Sequence, residues 1–219
     1  MIAVTGIGWL NLKEYGCIIG RLKKKHEGIG SLYSLFKRES IYSYPLKNFS
    51  RFDIISKMTC FCAALALKDA GISYSGTDKK DIGILGTNEA GCLESNLSYF
   101  RDYVESGRVL ARGNLFIYTL PSIPLAEAAI HFGLSGPLLH IAFSDGKISS
   151  LLSFAGKSIL DGETGAVLAV KAEEKDAVCF VLQTIDSGLT GNSLSFKKVT
   201  ALADRPDFED MITALSALP

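Results

Sequence analysis

Neither sign of charge is in excess: 23 lysines and arginines stand against 23 aspartates and glutamates in 219 residues. A nucleic-acid footprint needs a clustered basic surplus. The one basic run, "RLKKKH" (Arg21 to His26), is short and reads as a solvated helix or loop face. Histidine is scarce too. The three are His26, His131 and His140, so nothing after residue 140 offers an imidazole base. The five cysteines, Cys17, Cys60, Cys62, Cys92 and Cys179, are odd in number. They lack the C-x2-C pairs or histidine partners of a zinc site, and Cys60 and Cys62 would leave one helix on different faces. Free buried thiols in a reducing compartment are expected, with no metal and no cofactor. No apolar run approaches the length of a membrane span. The opening "MIAVTGIGWLNL" has no basic stretch followed by a long apolar core, as a secretory signal would. A cytoplasmic protein without a membrane span is the expectation.

What is present is a core-forming composition, 47% hydrophobic and 21% charged, ordinary for an ordered globular chain. A chain of this size buries about 70% of its extended surface on folding, and residues 1–219 read as one domain. "IAVTGI" (2–7) predicts an opening strand that ends at Gly6 and Gly8. Residues 11–50, with scattered glycines and aromatics, predict short helical turns and surface loops. Asp53 to Ala70 is apolar at helical spacing on nearly every side, with Gly71 as its stop signal, which predicts a helix covered all round. "DIGILGT" (Asp81 to Thr87) predicts a buried strand, and "AGCLESNLSYFRDYVESG" an amphipathic helix. In "LFIYTLPSIPLAEAAIHFGL", Pro121 and Pro124 break an extended part, and a helix follows from about Leu125 to Phe132. A strand over 138–143, a helix over 147–160 and a hairpin of "GAVLAVKAEE" with "AVCFVLQTI" come next. A capped helix then begins near Pro206. Strands alternating with helices and closing on a hairpin indicate an α/β fold with a mixed sheet.

The turn Ser144-Asp145-Gly146 joins a strand to a helix, where many enzymes mount a nucleophile. "AFSDG" approximates the G-x-S-x-G elbow of hydrolases, but their triad needs an acid and then a histidine after the serine, and no histidine follows. "GTNEAG" lacks the spacing and the lysine of a phosphate-cradling loop. For Asp145 the plain structural reading is a helix N-cap.

Four segments, in order and spacing, resemble the N-terminal half of the β-ketoacyl synthases, of the thiolase-like fold. They are "IAVTGIG" at the start, "SRFDIISKMTCFCAALALKDAGI", "DIGILGTNEAGCLES" and "TLPSIPLAEAAIHFGLSGP". In the family, a segment like "GPNITVSTACASG" carries the nucleophilic cysteine nine residues after its first glycine. Nine from Gly136 is Asp145. Counting back seventeen from Gly162 of "DGE", the counterpart of the family's "RGE", also reaches Asp145. The resemblance therefore implies half of a thiolase-like fold whose nucleophile position holds an aspartate. A thiolate at a helix N-terminus attacks thioesters; a carboxylate there is a poor nucleophile. The half of the family's fold that bears its catalytic histidines has no counterpart in this sequence.

What the resemblance implies for function is a non-catalytic subunit like the family's chain-length factors, paired with an active ketosynthase in fatty-acid or polyene or polyketide biosynthesis. Family dimers form through the strand before the nucleophile, which here places Leu138, His140, Ala142 and Ser144 at the interface. The segment ahead of the family's "lPN" shapes the acyl pocket, which makes Phe116, Tyr118 and Thr119 the gating candidates. Acyl carrier protein is a further expected partner. Two alternatives stay open: a homodimeric scaffold or carrier-protein-binding module, and a small acyl hydrolase using Ser144. With one half of the fold missing, the helices holding Cys60 and following Asp145 would lack a covering layer. Either the helix from Asp207 to Leu218 or a partner chain must supply it.

Overall fold

Ile2–Asn11 forms one long strand, β1, and its glycines serve the packing above it. A Cβ at Gly6 would lie 2.3 Å from the carbonyl oxygen of Ala66, and one at Gly8 would lie 2.4 Å from that of Cys62. Gly6 and Gly8 therefore do not end the strand, as the sequence predicted. They let helix α1 (Ile54–Asp69) press against it. The computed structural model describes residues 1–26, 41–109, 112–185 and 193–219.

Around β1 the described residues build a mixed sheet. Its strands are β2 (Glu14–Cys17), β3 (Leu22–Lys25), β4 (Ile82–Thr87), β5 (Leu138–His140), β6 (Ala166–Ala172), β7 (Asp176–Thr184) and β8 (Leu194–Ser195). The order is β3-β2-β1-β7-β6-β4-β5, with β8 pairing the start of β1. The pairs β4–β5 and β4–β6 are parallel; β6–β7, β1–β7, β1–β2 and β2–β3 are antiparallel. The predicted hairpin of β6 and β7 is present. Residues 14–25, expected as turns and loops, instead form the strands β2 and β3, and "RLKKKH" is a sheet edge rather than a helix or loop face. Lys23, Lys24 and Lys25 are exposed along it, a composition that discourages edge-to-edge pairing. Part of the region predicted as irregular, 27–40, lies outside the described residues; residues 41–50 are irregular as predicted and run into a 3-10 turn, Phe49–Arg51.

Alternation along β6 and β7 divides the core in two. Leu168, Val170, Cys179 and Val181 face α1 and α4 (Ile123–Phe132). Val167, Ala169, Phe180 and Leu182 face α5 (Ile148–Leu160), α6 (Phe196–Leu202) and α7 (Phe208–Ser216). Helix α1 is buried continuously from Ser56 to Leu67, between the sheet and α4, as its all-round apolarity predicts. Asp53 caps it, accepting the Ser56 N–H at 2.8 Å. Because α1 and α5 lie on opposite faces, the C-terminal helix covers only one of them. Met211, Ile212 and Leu215 of α7 are buried in the α5 cluster, each stabilising the fold by about 2 kcal/mol.

Two short helices depart from prediction. The segment expected to be extended before Pro121 contains α3 (Gly113–Ile117), and α4 begins two residues earlier than expected, with Pro124 in its first turn, where the missing N–H costs nothing. Helix α2 (Leu93–Glu105) is the predicted amphipathic helix, yet none of its residues is buried. Leu93, Leu97, Phe100 and Val104 are exposed along it.

Candidate functional site

The strand before the predicted nucleophile turn is short. It pairs only as far as His140, three residues less than expected, and Ile141 adds one bond to the Gly86 carbonyl at 2.8 Å. The chain then turns through Ser144, Asp145 and Gly146, the last at a left-handed φ of 62°. Helix α5 starts after Lys147, its N-cap, which provides no side-chain cap.

Two aspartates serve this helix terminus. One oxygen of Asp145 accepts the Lys147 N–H at 3.1 Å and the other accepts the Ser150 hydroxyl at 2.8 Å. Asp145 is therefore not the N-cap itself. Gly146 and Lys147 intervene, and its carboxylate reaches forward to the first turn. The Lys147 N–H, then the Ser150 hydroxyl, hold its carboxyl below the usual carboxylate range. Asp204, from the loop between α6 and α7, accepts the Ser149 N–H at 2.9 Å and also the Ser149 hydroxyl. The positive end of the helix thus meets two carboxylates of its own chain.

Beside it lies a cavity of about 360 Å3 that Ile148 of α5 helps to line. Its polar side chains are Glu89, Lys171, Glu173, Asp176, Arg205 and Asp207. Lys171 binds Glu89 at 2.8 Å and holds that carboxyl low, while burial pushes Glu173 and Asp176 up. Four carboxylates against two cations, with Asp145 and Asp204 close by along the chain, make a poor seat for an anionic group. The same terminus offers no thiol.

Ser144 is exposed, and neither His140 nor His131 bonds to it among the described residues. His140 Nε2 pairs with Asn88 Oδ1 at 3.1 Å. His131 is packed among Tyr42, Tyr44 and Tyr74, with ring centroids 5.6, 4.4 and 5.8 Å away, on the α1 face of the sheet. Burial pushes His131 down to about 4. No histidine hydrogen-bonds Ser144 among the described residues, so the serine lacks a base.

The three gating candidates do not form one wall. Phe116 is 53% exposed on α3, its ring 5.4 Å from Tyr99 of α2. Tyr118 turns inward, buried, with its ring 6.4 Å from Phe52 and its hydroxyl donating to Glu127 at 3.3 Å. The Thr119 hydroxyl closes α3 on the Phe116 carbonyl at 2.7 Å, and the Thr119 carbonyl accepts the Cys92 thiol. The interface candidates lie at the end of the sheet, where β5 has β4 as its one neighbour among the described residues. Leu138 and His140 are half-buried there, and Ala142 and Ser144 exposed; Leu139, not among the candidates, is also exposed.

Sequence reasoning missed Asp204 and Asp69. Asp69, at the end of α1, accepts the N–H groups of Ile7, Ile19 and Gly20 at 2.8, 3.1 and 2.7 Å. It ties the β1 irregularity between Val4 and Gly6 to the β2–β3 turn. Neither aspartate stands in a local motif, since their partners are 49 to 62 residues away.

No protein-family model matches the chain. A 102-residue stretch is 34% identical to the mitochondrial RNA-editing ligase 1 of Trypanosoma brucei brucei, but it takes in 46% of this chain and 21% of that protein. This is too little of either to define a shared family. Solved structures match more fully. The ishigamide ketosynthase/chain length factor superposes over 85% of this chain with a TM-score of 0.61 and 13% identity. The chain therefore has the thiolase-like α/β fold of that neighbour. A ketosynthase in complex with its chain length factor, from Xenorhabdus doucetiae, matches over 85% of this chain and 80% of that one, with a TM-score of 0.52 and 12% identity. This chain spans less of the first neighbour, 63% of its length. Identities this low establish the fold and nothing finer. Among the described residues, no helix is long and apolar enough to cross a membrane.

Proposed function

We propose that this ketosynthase-like chain is a non-catalytic subunit of the chain-length-factor kind, which pairs with an active ketosynthase and shapes its acyl pocket in fatty-acid or polyketide-type assembly. The observation that carries the reading is the terminus of α5. Its nucleophile position is an aspartate bonded to Lys147 and Ser150, and the next free donors of the helix go to Asp204. Condensation needs a thiolate where a carboxylate sits, and hydrolysis through Ser144 needs a base that neither nearby histidine provides.

Two further observations support pairing. The β5 edge, with Leu138, His140, Ala142 and Ser144 on or just after it, is a free strand edge among the described residues, suited to continuing a sheet across a two-fold or pseudo-two-fold axis. The Xenorhabdus structure that this chain matches over 80% of a chain is itself a ketosynthase with its chain length factor. Acyl carrier protein is a further partner on this reading.

Co-expression with the ketosynthase encoded nearest to this chain, followed by the mass of the purified assembly, tests the pairing. A one-to-one heterodimer is expected. A homodimer that ignores the ketosynthase sinks this reading and leaves the scaffold or carrier-protein-binding module in its place.

A further inference from the structure

Helix α2 presents its polar face to the protein and its apolar face away from it. The side chains that hold it are Ser95, Tyr99 and Asp102, half-buried and at the spacing of one helix face. The Ser95 hydroxyl donates to the Asp53 carboxylate at 2.9 Å. The Tyr99 ring lies 5.4 Å from that of Phe116. Asp102 accepts the backbone N–H of Arg112 at 2.9 Å and its guanidinium at 2.7 Å. Leu93, Leu97, Phe100 and Val104 occupy the opposite face and are exposed, Phe100 by 61%. A surface helix of a monomer ordinarily has the reverse arrangement, and a continuous exposed apolar strip marks an interaction surface.

Spacing and flanking charges say what covers the strip. Its steps of four, three and four residues are the a and d positions of a coiled coil. Set against a second copy running antiparallel, Leu97 meets Phe100 of the other copy, and Leu93 meets its Val104. Glu94 and Arg101 lie on one flank of the strip, seven residues apart. Neither makes an ion pair among the described residues. In the antiparallel register each Glu94 faces Arg101 of the other copy, so the two-fold axis generates two ion pairs. A parallel pair would set Arg101 beside Asn96 and leave Glu94 unmatched. The face is complementary to itself, as a closed dimer requires.

We propose that a second copy of this chain docks antiparallel on α2, in a weak and reversible homodimer. The helix has 13 residues and is therefore about 20 Å long. Two such helices bury less than the ~800 Å2 per partner of a standard interface. Each helix is already folded and anchored by its inner face, so pairing orders side chains only. A dissociation constant in the micromolar range follows, roughly 10 µM. No residue of this face lies on β5 or at the α5 terminus. Self-pairing and pairing with a ketosynthase can therefore coexist, and a one-to-one complex doubles in mass only at high concentration.

Sedimentation velocity of the full chain alone, from about 1 µM to about 500 µM, tests this. A concentration-dependent shift from monomer to dimer mass is expected. Glu94→Arg brings like charges together at both symmetry-related positions and should weaken association by about tenfold, and Arg101→Glu should do the same. The two reversals combined should restore association to within about threefold of the wild type. Phe100→Ser, at an exposed position the fold tolerates, should abolish the dimer; circular dichroism checks that each variant is folded. A monomer throughout the range overturns the proposal. So does a dimer that ignores these substitutions, because another surface such as the β5 edge would then form it. Failure of the combined reversal to restore association overturns it as well, since the charges would not set the register. None of these outcomes bears on the ketosynthase pairing, which co-expression tests separately.

Discussion

The backbone N–H of Ser149, in the first turn of α5, donates to the carboxylate of Asp204 at 2.9 Å, across 55 residues of chain. This bond pins the α6–α7 connection over the helix terminus. Capping bonds of this kind contribute about 1 kcal/mol. Asp204→Ala should lower the thermal midpoint by about 2–4 °C, and Asp204→Asn should keep most of the wild-type value, both read by circular dichroism. Equal midpoints for all three proteins would show that the cap contributes nothing.

Asp145→Cys places a thiol at the start of α5, where the proposed reading puts a lost nucleophile. It is expected to yield a chain that iodoacetamide alkylates at that position but that neither condenses acyl thioesters nor releases carbon dioxide from a malonyl thioester. Asp204 still opposes an anion there, His140 is paired with Asn88, and His131 is buried among tyrosines on the α1 face of the sheet. Carbon dioxide release above that of the wild type would show that the residues around position 145 still support the chemistry and that Asp145 alone blocks it.

Phe116 and Tyr118 should separate by what they change. Tyr118 is buried against Phe52, so Tyr118→Ala should cost about 3–5 kcal/mol of stability, as large-to-small aromatic changes in cores do. Phe116 is half-exposed, so Phe116→Ala should alter stability by less than about 1 kcal/mol. In the complex with a ketosynthase it should lengthen the acyl product. Product mass spectrometry decides the second point: unchanged length removes Phe116 from the pocket without touching the pairing.

His131 makes stability depend on pH. Burial among aromatic rings depresses it from 6.5 to about 4, so between those values the unfolded chain binds a proton that the folded chain refuses. The stabilisation by neutral His131 is therefore complete above pH 6.5 and is lost as pH falls toward 4. The shift corresponds to at most about 3 kcal/mol. Urea denaturation of wild type and His131→Gln at pH 7 and pH 4.5 should show the larger acid loss in the wild type. Parallel losses would assign the acid sensitivity to other groups.

How far the chain could be read before folding differs from element to element. The all-round apolarity of α1 and its Asp53 cap are local signals, written within a few residues of where they act, and the β6–β7 hairpin is equally local. Each appears in the structure close to its predicted bounds. The strands β2 and β3 were not legible, because their stability comes from pairing, β2 with β1 and β3 with β2, and the side chains of β3 are lysine-rich. Gly6 and Gly8 look like strand breakers in a string of letters. Only the approach of the Ala66 and Cys62 carbonyls shows that they are spaces left for a helix.

The candidate site divides along the same line. Sequence by itself determined that the turn between Gly136 and Gly162 carries a carboxylate at Asp145 and that no histidine comes after it. Tertiary structure alone decided what surrounds that carboxylate. Asp204 reaches α5 from a loop past residue 200, Phe116 turns out while Tyr118 turns in, and β5 is left at the edge of the sheet. Hydrogen bonds across 55 residues and the choice of inward or outward face depend on how distant segments pack, and no local pattern encodes them.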